Sequence, residues 1–434
     1  MKIMIVGASG FIGGKLARAL MAQGHEVIGA GRSRPADVPL SGFVAVDFSQ
    51  VPEPAWWQAH LAGVAVVINT VGIFRESQSQ TFEALHTRAP VALFRACVLA
   101  GVRRIIQLSA LGADPGAETV YHLSKRAADD ALRGLPVASS IVQPSLVYAP
   151  QGASAAFFNQ LAVLPFLALP RGARVQPVHL DDVMAGLLAL VNRPVFPLTE
   201  SETIAFVGPA PLALREYLAA LHHSLGASRP AWVLELPPGL ALGLASRAGK
   251  LPGNFVDRDA VRMLLRGNMA DPTAFTRLIG HSPRPANAFI EPEMAPGLRR
   301  EAVLGWLLPL MNWAVALVWI WTGMVSFGLY PVEDSLQLLA DFGLHGTLAT
   351  AALYTAAGLD LILGFLMLTA RGRLRCWVLM AQLLVIAGYT AMITLRLPEW
   401  WLHPYGPISK NLPMVLVIGL LLALEPGCNR KVSG

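Results

Sequence analysis

Two side chains in the stretch VYHLSKRAADDAL, Val120 to Leu132, can do proton chemistry together. Tyr121 and Lys125 are four residues apart, so a helix there stacks them on one face. A free tyrosine has a pKa of about 10, too high for efficient general acid/base work at neutral pH. An ammonium one turn away stabilises the phenolate and brings that value down. Ser109, twelve residues ahead of Tyr121 at the end of IIQLS, can donate a hydrogen bond to a substrate carbonyl oxygen while Tyr121 supplies its proton. Taken alone, the Tyr–Lys pair reads as two surface residues of an amphipathic helix. The elements around it decide between the two.

Those elements alternate. KIMIVGA, HEVIGAG, GVAVVINTVG, VRRIIQLSA and VASSIVQPS are short, rich in Val and Ile, and almost continuously apolar. Parallel strands buried on both faces have this composition. Helix-like stretches such as GGKLARALMAQG and TRAPVALFRACVLAG separate them, which predicts an α/β doubly wound parallel sheet over residues 1–290, with a substrate lobe mostly at 152–280. GASGFIG follows the first strand and opens a helix. In it Gly7 allows the tight turn, Gly10 lets backbone approach a pyrophosphate, and Gly13 lets the helix pack close to the sheet. Ser9, Phe11 and Ile12 share that turn, where free helix N–H groups and the dipole favour phosphate. The second strand ends in AGRSR. Arg32, Ser33 and Arg34 stand where an NAD-binding fold usually places an acid for the ribose 2′-OH. An arginine there suits a 2′-phosphate, so NADP(H) is preferred and NAD(H) is the alternative; the bland reading is a pair of solvated arginines. Asp47, in VAVDFSQ, either meets the adenine amino group or caps the adjoining turn.

With the glycine turn ahead of it, the serine, tyrosine and lysine pattern resembles the extended and atypical short-chain dehydrogenase/reductase superfamily. Its YxxxK motif is intact as Tyr121 and Lys125, and Ser109 stands in the place of its serine. NTVG (Asn69 to Gly72), QPSLVYAP (Gln143 to Pro150) and QPVHLDDV (Gln176 to Val183) fit the same resemblance. It implies that Asn69, Val71, Gly72, Pro144, Leu146 and Val147 help to hold the cofactor, as do Tyr121 and Lys125, and that no metal takes part. SALGA and LHTRAP resemble most closely the branch related to the accessory subunit of respiratory complex I. One departure stands out. His86, in EALHTRA, occupies the place where extended reductases commonly carry an Asn that holds a water in a proton relay. A histidine can relay protons near neutral pH, or it can simply pack. The complex I branch includes members that hold NADPH without turnover. His179 reads as structural, with Asp182 as a partner.

Beyond SPRPANAFIEPEMAPG, a Pro-rich stretch that reads as a linker ending in residues 291–300, the composition changes. Overall, 54% of the 434 residues are hydrophobic and only 14% charged, which points to a membrane-embedded part. Ala302 to Val332, Cys376 to Leu395 and Asn411 to Leu424 lack Asp, Glu, Lys and Arg, and Phe342 to Ala370 has only Asp360. This pattern predicts four spans, at 303–328, 346–369, 375–396 and 409–426, the last short of the roughly 20 residues that cross a bilayer. Arg371, Arg373 and Arg375 lie between the second and third, and Arg430 and Lys431 come after the fourth. The positive-inside rule then places the N-terminal domain and the C-terminus in the cytoplasm of a multi-pass protein of a bacterial-type inner membrane. Trp400 and Trp401 fall in an outer interfacial belt. GLDLILG and HPYGPISKNLP resemble a DoxX-like four-helix membrane domain. Asp360, mid-span, needs a partner such as His345, His403 or Lys410; it reads as a proton or quinone-headgroup site, or as a helix–helix hydrogen bond.

The net charge of +6 is modest and shows no basic run interleaved with aromatics, so nucleic acid is not an expected partner. Cys97, Cys376 and Cys428 are odd in number and far apart, and predict neither a disulfide framework nor a zinc site. MKIMIVGASG runs straight into the glycine turn and does not read as a signal peptide. Three functional readings compete. One is a membrane-anchored oxidoreductase acting on a small, apolar carbonyl or quinone-like substrate. Another is a non-catalytic NADPH-binding subunit of a membrane complex. The third is an NADP redox sensor of the NmrA-like kind.

Overall fold

The computed structural model describes all residues except 195–199, 229–230, 250–255, 403, 405, 407 and 429–434. The chain divides into two compact units, Met1–Ala302 and Val303–Gly434.

In the first unit, β1 (Lys2–Val6), β2 (Glu26–Gly31), β3 (Gly42–Ala45), β4 (Val66–Asn69), β5 (Arg104–Leu108), β6 (Ala138–Pro144) and β11 (Ser201–Phe206) form one parallel sheet in the order β11-β6-β5-β4-β1-β2-β3. This is the expected doubly wound sheet, and its order reverses beside β1, where such sheets bind ligands at the strands' carboxyl ends. The apolar runs are explained by burial on two faces. Ile3 and Ile5 point into one core with α1 (Phe11–Ala22) and α6 (Leu180–Asn192). Met4 and Val6 point into the other, where α2 (Pro54–Gln58) contributes Trp57, and α3 (Ala89–Leu99) and α4 (Val120–Arg133) cover the sheet.

A lobe built mainly after β6 has its own core around Phe158, Leu169 and Tyr217. Three short strand pairs frame it: β7 (Val147–Tyr148) with β10 (Val178–His179), β9 (Arg174–Val175) with β12 (Leu212–Ala213), and β8 (Phe166–Pro170) with β13 (Trp232–Leu236). Helices α5 (Ala153–Ala162), α7 (Leu214–Ser224), α8 (Pro238–Ala248), α9 (Arg258–Arg266) and α10 (Thr273–Ile279) complete the unit. The stretch expected as a linker is packed instead. Phe289 and Ile290 are buried in the lobe core together with Ala295 and Leu298, the opening turns of α11 (Ala295–Met324). Its prolines interrupt helix without exposing Phe289 and Ile290.

The second unit continues α11 and adds α12 (Val332–Asp341), α13 (Gly346–Thr369), α14 (Arg373–Arg396) and α15 (Asn411–Leu424). Three segments, Ala295–Leu329, Gly346–Thr369 and Arg373–Arg396, are long and apolar enough to cross a membrane. The fourth expected span is only the 14-residue α15, so the described full-length spans number three, not four. Gly364 explains part of the GLDLILG pattern. A Cβ there would lie 3.0 Å from the Ile320 nitrogen and 3.2 Å from the Ala316 oxygen, so its absence lets α13 lie close against α11. Asp360 is buried, and its Oδ1 has no hydrogen-bond partner among the described residues, while His403 lies outside them.

The cysteine reading needs correction. Cys376 and Cys428 form a disulfide across 52 residues of sequence, joining the start of α14 to the segment after α15, beside an Arg375–Glu425 ion pair of 2.9 Å. Sequence distance had hidden a pairing that the antiparallel return of α15 creates. Cys97 is free and buried.

Close packing also governs the first unit. A Cβ on Gly186 of α6 would fall 2.5 Å from Phe206 and 2.8 Å from Phe275, whose rings stack 4.3 Å apart. Helix propensity alone makes Gly186→Ala stabilising by about 1 kcal/mol. Overpacking costs about 1–3 kcal/mol and outweighs it. Thermal unfolding of the full chain in detergent should show a lower midpoint for Gly186→Ala; an unchanged or raised midpoint contradicts this packing.

Candidate functional site

The chemistry-bearing residues converge at the carboxyl ends of β1, β4, β5 and β6. After β1, Gly7 has φ +87°, and Gly10 and Gly13 come next. A Cβ on Gly13 would collide with the Gly7 oxygen and lie 2.7 Å from Thr70 Oγ1, which itself donates to the Val6 oxygen at 2.8 Å. The turn is therefore a cradle that side chains would fill, and it opens onto the N-terminus of α1. That is the shape and polarity a pyrophosphate needs. Ser9 and Phe11 are exposed there, and Ile12 packs on the core beneath.

At the end of β2, Arg32 and Ser33 are exposed, and Arg32 makes no hydrogen bond or ion pair among the described residues. Ser9 Oγ would lie 3.4 Å from a Cβ on Gly31, which places a hydroxyl beside the start of that arginine pair. Arg34 is otherwise occupied: its guanidinium donates to the Leu40 oxygen at 2.8 Å. Asp47 caps the turn after it by accepting from Ser49 N at 2.9 Å, which realises the capping alternative.

After β4, Asn69 is fully buried. Its amide donates to Gln107 Oε1 at 2.8 Å, and its oxygen accepts from Val71 N at 3.1 Å. It shapes the loop from below. Val71 and Gly72 form that loop, and a Cβ on Gly72 would lie 3.1 Å from Lys125 Nζ. Pro144 ends β6. Leu146 N is held by Asn268 Oδ1 at 3.1 Å, and Val147 pairs with Val178. Asn268 also donates to the Leu111 oxygen at 3.4 Å, so it ties the loops after β5 and β6 together. Nothing in its local sequence signalled this.

Helix α4 begins at a Thr119 cap, whose hydroxyl accepts from His122 N. Tyr121, Lys125 and Asp129 then fall on successive turns of one face. Lys125 Nζ donates to the Leu108 oxygen at 3.2 Å and the Val71 oxygen at 3.3 Å. Burial lowers its pKa to about 8, opposed by the charge of Asp129. Asp129 is fully buried, and burial pushes its carboxyl up to about 6 against hydrogen bonds from Ser109 and Gln143. Ser109 Oγ donates to Asp129 Oδ2 at 2.5 Å. The serine thus faces the carboxylate behind Lys125. Asp129 belongs to the same VYHLSKRAADDAL stretch, one turn beyond Lys125, and that i, i+4 spacing is the signal by which the sequence could have revealed it.

Tyr121 departs from expectation in its titration. Its ring sits within 5.1–5.7 Å of those of Phe74, His122, His86 and Phe82. That surround pushes its pKa up to about 12, with burial as the cause. The lowering expected from Lys125 does not occur, because its ammonium turns to the Val71 and Leu108 carbonyls. Tyr121 is therefore held as a neutral phenol.

His86 lies in a π-helical turn, Glu83–Arg88, that leads into α3. Its Nε2 accepts from Ile73 N at 3.0 Å, so by hydrogen-bond logic the proton is on Nδ1, which meets Ser124 Oγ at 3.0 Å. Ser124 in turn donates to the Tyr121 backbone carbonyl oxygen at 2.8 Å. Burial and the neighbouring Lys125 charge lower the His86 pKa to about 3. Both nitrogens are committed to the frame. His179 likewise serves the frame: it caps α6 at Asp181 N, while Asp182 accepts from Arg284 N.

Residues 7–157 match a family described as NAD(P)H-binding, and residues 316–419 match the DoxX-like family. The chain is 28% identical over 243 residues to a ceramide reductase of Caulobacter vibrioides, covering 55% of this chain and 74% of that protein. It is 27% identical over 218 residues to the mitochondrial NADH dehydrogenase [ubiquinone] 1 alpha subcomplex subunit 9 of Mus musculus, covering 47% of this chain and 56% of that subunit. The structure called gox2253 shares the fold at 21% identity and a TM-score of 0.53, over 69% of this chain and 98% of that one. The chain thus joins an NAD(P)-binding, Rossmann-type domain like those of short-chain dehydrogenases/reductases to a DoxX-like helical domain whose described helices include three long and apolar enough to cross a membrane.

Proposed function

We propose that the protein is a membrane-anchored, NADP(H)-preferring reductase of a carbonyl on an apolar, lipid-like substrate. The observation that carries this reading is the neutral Tyr121 phenol in its aromatic surround, on the same helix face as a buried ammonium, at the carboxyl end of the sheet. The similarity to a ceramide reductase supports a lipid as the substrate. A bound NAD(P)H would supply the hydride that the carbonyl carbon needs. The chain's own residues do the rest. The glycine cradle and the α1 N-terminus would hold the pyrophosphate, and Arg32 with Ser9 would hold the 2′-phosphate. Phe74 and Phe82 pack their rings against Tyr121. Tyr121 breaks its O–H bond and passes the proton to the carbonyl oxygen, and the Lys125 ammonium stabilises the phenolate left behind. His86 and Ser124 fix the backbone from which Tyr121 projects.

Orientation rests on the arginine loop at 371–375, which favours a cytoplasmic Rossmann domain and cytoplasmic C-terminus. A second reading, a cofactor held without turnover inside a membrane complex, draws on the complex I subunit relative and on Ser109, whose hydroxyl faces Asp129.

Tyr121→Phe should keep NADPH binding and lose about 100-fold or more in kcat, as loss of a general acid does. The assay is NADPH oxidation with a carbonyl lipid in mixed micelles, and running it with NADH reads the 2′-phosphate preference. A variant as active as the native chain would refute the proton-donor role. The pH profile gives an independent check. Lys125 loses its proton as pH rises through about 8, so kcat/KM falls on that alkaline side. Because the Asp129 charge raises the Lys125 pKa, Asp129→Asn should move that limb to lower pH. A limb that stays in place would detach Asp129 from the site.

A further inference from the structure

The lobe of the first unit carries an apolar surface that no described residue of that unit covers. In β13 the run Trp232, Val233, Leu234 is 78%, 42% and 63% exposed, and Phe166 of the paired strand β8 is 72% exposed. A strand with one buried face alternates, and β8 does so, turning Leu167 and Leu169 into the lobe core. β13 does not alternate, because it has no buried face for its apolar residues. Helix α8 comes directly after it and adds Leu240 and Leu244, one turn apart and both about half exposed. An exposed apolar patch of this kind marks an interaction site.

We infer that this surface docks on the lipid bilayer, so that the reductase lobe is seated at the membrane interface as well as tethered to it. Three observations select lipid over another occupant. First, the same lobe core that holds Leu167 and Leu169 also holds Ala295 and Leu298, the opening turns of the first membrane-crossing segment. The chain therefore runs from this lobe straight into a segment long and apolar enough to cross a membrane, which tethers the lobe to lipid. Second, the patch has interfacial chemistry: an exposed tryptophan and phenylalanine beside leucines. Third, its polar edge is cationic. Arg171 and Arg215 both reach the single carboxylate of Glu235, at 3.6 and 3.4 Å, and Arg247 is exposed at the end of α8. That edge suits anionic headgroups. This inference deepens the proposed function, because a lobe seated on lipid takes its substrate from the bilayer without passage through water.

The test uses the full chain in nanodiscs with an NBD fluorophore on Leu234→Cys, on Leu244→Cys, or on the control Gln58→Cys, which is exposed elsewhere on the first unit. Cys97 is buried and Cys376 is bonded to Cys428, so the introduced thiol is the reactive one. Doxyl-labelled lipid should quench the two patch labels about twofold or more and leave the control unchanged, as an interfacially buried face requires. Patch labels quenched by aqueous iodide and indifferent to doxyl lipid would overturn the inference. Labels shielded from both would overturn it too, in favour of a protein partner. This readout needs no turnover, so it stands apart from the reductase reading. If that reading holds, Trp232→Glu with Leu234→Glu raises KM for a carbonyl lipid in vesicles about fivefold at unchanged kcat, since interfacial binding is what it weakens.

Discussion

A buried ammonium organises this site. Lys125 is 4% exposed, and a charge removed from water costs several kcal/mol unless it is paired and hydrogen-bonded. Its partners are drawn from three places: the Val71 oxygen after β4, the Leu108 oxygen at the end of β5, and the Asp129 charge one turn along α4. Satisfying that one group therefore fixes the loop after β4, the end of β5 and helix α4 relative to one another. Asp129 then becomes a buried charge in its own right, and Ser109 and Gln143 are recruited to it.

The same constraint explains His86. Burial first, and then the Lys125 charge, make a cation costly there, so the imidazole is held neutral and used as a hydrogen-bond brace between Ile73 N and Ser124. The π-helical turn that carries it places the ring there, and such turns often occur where function needs a side chain re-aimed. Between the readings offered by the sequence, relay or packing, the geometry gives a third role: a brace that sets the backbone of Tyr121.

The parallel sheet and the glycine cradle were legible because each rests on local rules. Continuous apolar runs mean strands buried on both faces, and three glycines after a strand mean a turn that no side chain can fill. Tyr121, Lys125 and Ser109 were legible as types. Their mutual geometry was not, because the direction of the serine depends on Asp129, and the titration of the tyrosine depends on Phe74 and Phe82, which arrive from a distant loop. The Cys376–Cys428 bond was hidden for the same reason. It also sets two rules against each other, since the arginine-rich loop favours a cytoplasmic face and a reducing cytoplasm disfavours disulfides. Both features lie at one end of the helical unit, so only one rule governs there. β13 escaped the strand pattern altogether, because its apolar residues have no alternating partner face.

The central claim is that Tyr121 and its surroundings serve turnover on a lipid carbonyl and not the storage of a cofactor. Single-turnover mass spectrometry tests it most directly. The purified chain in nanodiscs is mixed with NADPH deuterated at the transferable position and with a keto-lipid. The account predicts a hydroxy-lipid carrying one deuterium, formed with equimolar NADP⁺. Cofactor that stays bound and reduced, with the keto-lipid unchanged, would contradict it.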